Sequence, residues 1–171
     1  TINGMFYDPL DDRVIDYVGG EADLRQRRIR AIGDPAARFA EDHLRLLRAV
    51  RFTAVLEAEL DAETAAAVTQ WAPRIGAVSG ERVAGEMRRM LVHSTRARAA
   101  DLLRRCGLLD AILPESRLPG EPPERWPQIL RLLEALQAPS FSVALAALLW
   151  ESIRSARLGD SVVTLSRRWR L

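Results

Sequence analysis

Lysine is absent: all 25 basic residues of this 171-residue chain are arginine. A GC-rich genome is the simplest origin of that bias. Its physical result is that cationic recognition falls entirely to the guanidinium group, a planar fork suited to phosphates and base edges. Cysteine is nearly absent too. The single Cys106 rules out an internal disulfide framework and fits a reducing, cytoplasmic setting. Its neighbours Leu102, Leu103, Leu108 and Leu109 point to a buried structural thiol. No apolar run approaches the roughly 18 residues of a membrane span, and no basic n-region announces a signal peptide. The opening Thr1-Ile2-Asn3-Gly4 and the close Arg167-Arg168-Trp169-Arg170-Leu171 are expected to be the interior of a longer polypeptide. Strong net charge is missing as well. At +2 overall, nucleic-acid binding would have to come from local clusters, not from a global field.

What is present is an ordinary globular composition, 48% hydrophobic and 28% charged, with helical periodicity along most of the chain. Residues 1–17 differ. Ile2, Met5, Phe6 and Tyr7, then Val14, Ile15 and Tyr17, flank Asp8-Pro9-Leu10-Asp11-Asp12, which reads as a β-hairpin around a turn. Asp8, Asp11 and Asp12 read as turn residues bonding their own backbone, in preference to a metal site. After Gly19-Gly20 no further alternation of period two is convincing. Asp34-Pro35 starts a helix, with Asp as N-cap and Pro in the first turn. The apolar stripe Phe39, Leu46, Leu47, Val50 and Ala54 predicts that this helix runs on to about Glu57. Further helices are expected near 61–72, 80–93, 95–106, 126–137, 140–156 and 161–169, with Asp61, Ser79, Ser94 and Ser140 as caps. A proline-rich stretch from Pro114 to Pro127 separates two helical groups. The expected fold is mainly α, with a short N-terminal β-hairpin.

Arg45, Arg48 and Arg51 recur every three residues. On a helix of about 3.6 residues per turn they fan across a sector of about 120°, a basic stripe suited to a triphosphate or an RNA backbone. Asp42 lies one turn before Arg45 on the same face. On spacing alone, Asp42 and Arg45 read more readily as a surface ion pair on a solvated helix.

Several motifs then occur in one fixed order: Thr1-Ile2-Asn3, Asp16-Tyr17-Val18-Gly19-Gly20-Glu21-Ala22-Asp23-Leu24, Ile32-Gly33-Asp34-Pro35, Glu41-Asp42-His43-Leu44-Arg45, Glu81-Arg82-Val83 with Glu86, and Leu102 to Glu115. Over residues 1–116 this order resembles the class II tRNA nucleotidyltransferases (CCA-adding enzymes) and the related bacterial poly(A) polymerases. The resemblance implies three parts: residues 1–24 as the end of a nucleotidyltransferase head, 25–116 as a helical neck that binds nucleotide and RNA, and 117–171 as a helical body. It implies that Asp42 and Arg45 read the base of incoming CTP or ATP. Arg48 and Arg51 would contact its phosphates, and Asn3 its sugar or triphosphate. Arg82, Arg88 and Arg89 would meet the RNA, and Gly19 and Gly20 would form a hinge. His43 departs from the family, where proline is usual.

The same resemblance implies Mg²⁺ held by an Asp-x-Asp pair upstream of Thr1, so these 171 residues are expected to be inactive alone. Some relatives carry a His-Asp metal phosphohydrolase domain. Here the comparable place reads Ala147-Leu148-Leu149-Trp150-Glu151, and His43 and His93 are the only histidines, too few for that site. Arg167, Arg168, Trp169 and Arg170 suggest phosphate contact with stacking, or else a partly buried helix face. The implied function is CCA addition to tRNA, with no membrane and no protein partner. Poly(A) tailing and a non-catalytic helical RNA-binding module stand as alternatives, and a helical interaction scaffold as a weaker one.

Overall fold

A computed structural model describes residues 4–116, 122–150 and 165–169. Strands β1 (Met5–Asp8) and β2 (Arg13–Asp16) form the expected antiparallel hairpin, with Phe6 opposite Ile15 and Tyr7 opposite Val14. Asp8 closes its turn by accepting the Leu10 N–H at 2.9 Å, and the Tyr7 hydroxyl donates to Asp12 at 2.7 Å. Only Asp8 makes the backbone bonds expected of a turn aspartate; Asp12 takes the Tyr7 hydroxyl and Asp11 pairs with Arg13 at 3.3 Å. Phe6, Tyr7, Val14 and Tyr17 remain exposed.

The chain then turns at Gly19, in the left-handed region at φ 75°, into the short helix α1 (Gly20–Arg25). Asp16 caps that helix from the strand before it. Its Oδ1 accepts from the Val18 and Gly20 amides and its Oδ2 from Glu21. Those amides, Glu21 and Gly20 first, hold the Asp16 carboxyl below its ordinary range.

Eight α-helices follow among the described residues: α2 (Pro35–Glu41), α3 (Leu44–Val55), α4 (Ala62–Trp71), α5 (Gly80–Leu91), α6 (Arg96–Arg105), α7 (Leu108–Ile112), α8 (Arg125–Ala135) and α9 (Phe141–Leu148). A helical turn over 165–169 closes the described chain. α3 packs on α5 and α6, and α6 on α8. The core is continuous through Leu46, Leu47, Val50, Met87, Met90, Leu103, Leu108 and Leu133, and it takes in Leu165 and Trp169. Each such fully buried aliphatic side chain contributes about 1.5–3 kcal/mol by leaving water. Cys106 lies in the same core, where burial pushes its thiol pKa up.

The structure corrects several sequence expectations. The helix from Pro35 to Glu57 is two helices, because Asp42 is extended at φ −153°, ψ 107°. Its Oδ1 accepts the Leu44 N–H at 3.1 Å, a polar capping bond that competes with helix continuation. His43 closes the end of α2 by bonding the Phe39 carbonyl at 2.7 Å. A carbonyl only accepts, so this bond requires the proton on Nδ1. A second ladder also exists: β3 (Arg28–Ile29) lies parallel to β4 (Glu59–Leu60). It is two residues long, too short to show alternation. Asp61 and Ser140 cap as expected, through Thr64 and Val143. Ser79 sits at its N-cap without a side-chain bond, and Thr95, not Ser94, precedes α6. Trp169 is buried at 2% exposure against Phe141, which removes it as a stacking platform for RNA. Arg168 pairs with Glu115 at 3.0 Å, Arg167 is exposed, and Arg170 lies outside the described residues.

Candidate nucleotide and RNA site

α3 is oriented by its apolar stripe. Leu46, Leu47 and Val50 point into the core at 0% exposure, so Arg45, Arg48 and Arg51 are carried along its margins by the helical repeat. Arg45 and Arg48 reach one cavity of about 250 Å³, which Arg30, Arg38, Phe39 and Phe52 also line. Four guanidiniums beside aromatic surface favour a flat ligand that carries negative charge. The volume lies just below the range of about 300–1,000 Å³ typical of small-molecule sites. It suits one part of a nucleotide, a base or a phosphate, better than a whole triphosphate.

Asp42 and Arg51 stand outside that lining. Asp42, expected beside Arg45, bonds instead to Arg82 of α5, whose Nη2 donates to its Oδ2 at 2.8 Å. Arg82 is the main reason that the Asp42 carboxyl lies below its ordinary range, helped by the Leu44 amide and by the charge of Arg45. Arg45 is engaged through a single nitrogen. Its Nη1 donates to Glu41 and, at 2.9 Å, to the Arg38 carbonyl. Arg38 Nη1 donates to the same Glu41 oxygen, Oε2, at 2.7 Å. Arg45 first, then Arg38, lower the Glu41 carboxyl below its usual range. Arg48 makes no hydrogen bond or ion pair with any described residue.

Glu86 of α5 is the buried acid of the region, at 4% exposure. Arg51 Nε lies 2.7 Å from its Oε2 and Arg89 Nη1 2.8 Å from its Oε1. A carboxylate this dry requires such partners. Arg51 also lies over the Phe52 ring at 4.2 Å, and its side chain is only 18% exposed. Arg88 covers the Phe141 ring at 5.0 Å. Arg82 and Arg89 remain more than half exposed. Asn3 lies outside the described residues.

Sequence reasoning missed Arg30, Arg38 and Glu41. Glu41 directly precedes Asp42 and Arg38 lies one turn earlier, and the i,i+3 spacing of Arg38 to Glu41 and the i,i+4 spacing of Glu41 to Arg45 were the available signal. Arg30 carried none, because the two-residue ladder that delivers it is invisible to periodicity.

Two family models match the chain. Residues 1–30 match the "Poly A polymerase head domain", and residues 59–117 match the "Probable RNA and SrmB- binding site of polymerase A". A CCA-adding enzyme of Bacillus licheniformis is 43% identical over 108 residues, which is 63% of this chain and 27% of that protein. Poly(A) polymerase I of Haemophilus influenzae is 32% identical over 114 residues, 67% of this chain and 25% of that protein. The crystal structure of the Bacillus stearothermophilus CCA-adding enzyme in complex with CTP superposes with a TM-score of 0.68 at 32% identity, covering 100% of this chain and 40% of that one. The chain thus spans about a quarter of the length of these two curated relatives. Among the described residues no helix is long and apolar enough to cross a membrane. With the order of its motifs, both family models and relatives of both kinds in agreement, the chain belongs to the family of the CCA-adding enzymes and bacterial poly(A) polymerases.

Proposed function

We propose that the protein adds nucleotides to RNA 3′ ends without a template, completing the CCA end of tRNA from CTP and ATP. In this reading Asp42 and Arg45 replace the template. Cytosine and adenine each present an exocyclic amine beside an unprotonated ring nitrogen. A carboxylate only accepts hydrogen bonds and a guanidinium only donates them, so the pair suits both bases. Uracil and guanine carry the reverse pattern, and each unpaired buried group costs about 1–3 kcal/mol.

The observation that carries this reading is the spare capacity of both side chains. Each Asp42 oxygen accepts one bond, from Leu44 or Arg82, and keeps a further lone pair. Arg45 bonds through Nη1, which leaves Nε and Nη2 to donate. Asp42 and Arg45 are thus fixed in place and still able to bind a base edge. Arg48, charged and without a described partner, serves the nucleotide's phosphates, together with Arg51. Asn3 stands near the sugar or triphosphate. Arg82, Arg88 and Arg89 on α5 meet the RNA, and Gly19 and Gly20 form the hinge between a head that ends at residue 24 and the neck of residues 25–116. Residues 117–171 complete a helical body.

Nucleotidyl transfer in this family implies Mg²⁺. Among the described residues no three His, Cys, Asp or Glu side chains are grouped to hold a metal ion. The described residues therefore do not fit the ion. On this reading the chemistry belongs to an upstream Asp-x-Asp, and the 171 residues alone bind and select without transferring.

Poly(A) addition is the second reading, favoured by the likeness to the Haemophilus influenzae enzyme and compatible with a pair that accepts adenine. The deciding experiment uses the full-length polypeptide and tRNA lacking its 3′ CCA, with each nucleoside triphosphate alone and together. Growth that stops after C, C and A is expected. A long adenylate ladder on varied RNAs would replace it with poly(A) addition. No incorporation would leave a helical RNA-binding module.

A further inference from the structure

α2 and α3 meet at a break, and both side chains assigned to base reading depend on its angle. Asp42 is the extended residue at the break itself. Arg45 belongs to α3, yet its Nη1 is held by α2, through Glu41 and the Arg38 carbonyl. A change of angle between the two helices therefore moves the carboxylate and the guanidinium relative to each other.

His43 stands at that break with a tie to each helix. Its backbone carbonyl accepts the Leu46 N–H at 3.1 Å, at the start of α3. Its ring Nδ1 donates to the Phe39 carbonyl of α2 at 2.7 Å. In a continuous α-helix that carbonyl would receive the backbone N–H four residues on, which is that of His43 itself. α2 stops at Glu41 instead, and the imidazole takes the acceptor that the departing backbone gives up. Phe39 is buried and lines the cavity, where a carbonyl without a donor would oppose the break.

The same ring leans on α4. The His43 and Trp71 rings lie 5.6 Å apart between centroids, tilted by 38°, a separation typical of paired aromatic rings. The Trp71 indole N–H makes no hydrogen bond to a described residue, so its ring surface is what it offers. Three helices thus converge on one imidazole, next in sequence to Asp42.

The backbone at His43 has φ −64°, close to the value of about −65° at which proline is locked. A proline also drives the residue before it into the extended region, where Asp42 already lies at φ −153°, ψ 107°. His43 therefore reaches, through a hydrogen bond and a ring contact, a geometry that a pyrrolidine ring would impose covalently.

We propose that His43 is a positioning residue for base selection: tied to the Phe39 carbonyl and seated on Trp71, it sets the angle between α2 and α3 and with it the aim of Asp42 relative to Arg45. The proposal rests on the base reading of Asp42 and Arg45 given above. His43 acts through that pair and not by touching the base. Without the ring, the break is free to open and the two groups lose their common aim.

In the full-length polypeptide, the preference for CTP over UTP, taken as a ratio of kcat/KM values, reports that aim. His43→Ala is expected to lower the ratio by about fivefold, the worth of one net hydrogen bond. His43→Pro, which sets the same backbone without an imidazole, should recover most of the loss. A ring held for stability alone would lower Tm and leave the ratio where it was, which would overturn the proposal. Nitrogen NMR of the parent protein should find the His43 proton on Nδ1; a proton on Nε2 alone would overturn the tie to Phe39. A His43→Pro variant as indiscriminate as His43→Ala would overturn the proposal as well. If His43→Ala does not fold, Trp71→Leu decides: its ratio should fall in the same direction, and an unchanged ratio overturns the proposal. Should Asp42→Asn leave the parent's preference intact, the base reading itself falls, and this proposal with it.

Discussion

Arg82 Nη2 donates to Asp42 Oδ2 at 2.8 Å, across forty positions of the chain. This bond joins α5 to the break between α2 and α3, and with the Leu44 amide it holds the Asp42 carboxylate from two sides. On the proposed reading of Asp42, base selection then depends on a residue of another helix.

Arg82→Ala should therefore weaken discrimination without abolishing it. The pair is 51% and 30% exposed, and a solvent-screened ion pair is worth about 1 kcal/mol at most. The preference for C and A over U and G, read as a ratio of kcat/KM values, should fall by about fivefold or less. A loss of several hundredfold would mean that Arg82 touches the base itself.

Asp42→Asn goes further. An amide presents a donor as well as an acceptor, so uracil and guanine no longer meet a carboxylate. With about 1–3 kcal/mol at stake, misincorporation of UMP should rise by roughly 5- to 150-fold. Single-nucleotide addition to tRNA ending in its discriminator base measures this directly. Unchanged fidelity would remove Asp42 from the template role.

The two glycines of the turn should fail for different reasons. At Gly20 a Cβ would come within 2.7 Å of Met5 Cγ and 2.9 Å of its sulfur. At Gly19 the obstacle is the backbone, at φ 75°. Each alanine substitution should lower stability by about 1 kcal/mol. Met5→Ala should restore Gly20→Ala and leave Gly19→Ala unrepaired, as denaturant midpoints would show. Replacing both glycines should also slow the change from C to A addition.

Acid should act through carboxylates whose folded pKa values are lowered: Asp42 by Arg82, Glu41 by Arg45, and Asp16 by the Glu21 and Gly20 amides. For a lowered pKa the stabilisation is present above the unfolded value, about 4, and is lost as pH falls through the folded one. Thermal midpoints should thus be flat with respect to these groups from neutral pH down to about 5 and decline below about 4. Asp16→Asn should lower the neutral plateau and shallow the acid decline. An acid decline as steep as the parent's would show that the amide cage at α1 contributes nothing.

The long amphipathic elements were legible because periodicity reports burial directly. α5, α6 and α8 lie within about two residues of their expected bounds, and the hairpin falls where alternation and turn aspartates put it. Short-range competition was not legible. Asp42 breaks the helix because its own carboxylate satisfies Leu44, yet the apolar stripe from Phe39 to Leu46 runs straight across the break. At the site, the residue types of the arginine stripe were legible and their partners were not. Arg82 reaches Asp42 and Arg51 reaches Glu86 by tertiary packing, which no spacing along one helix encodes.

The break at Asp42–His43 also determines which length changes the chain can absorb. A residue added within α3 would rotate every later side chain by about 100°, turning Arg48 and Arg51 away from their present places. A residue added within α2 rotates only that short rod, since the extended backbone at Asp42 uncouples its phase from the next. The spacing from Asp42 to Arg51 is then a rigid ruler, which a change of length upstream of Asp42 leaves intact.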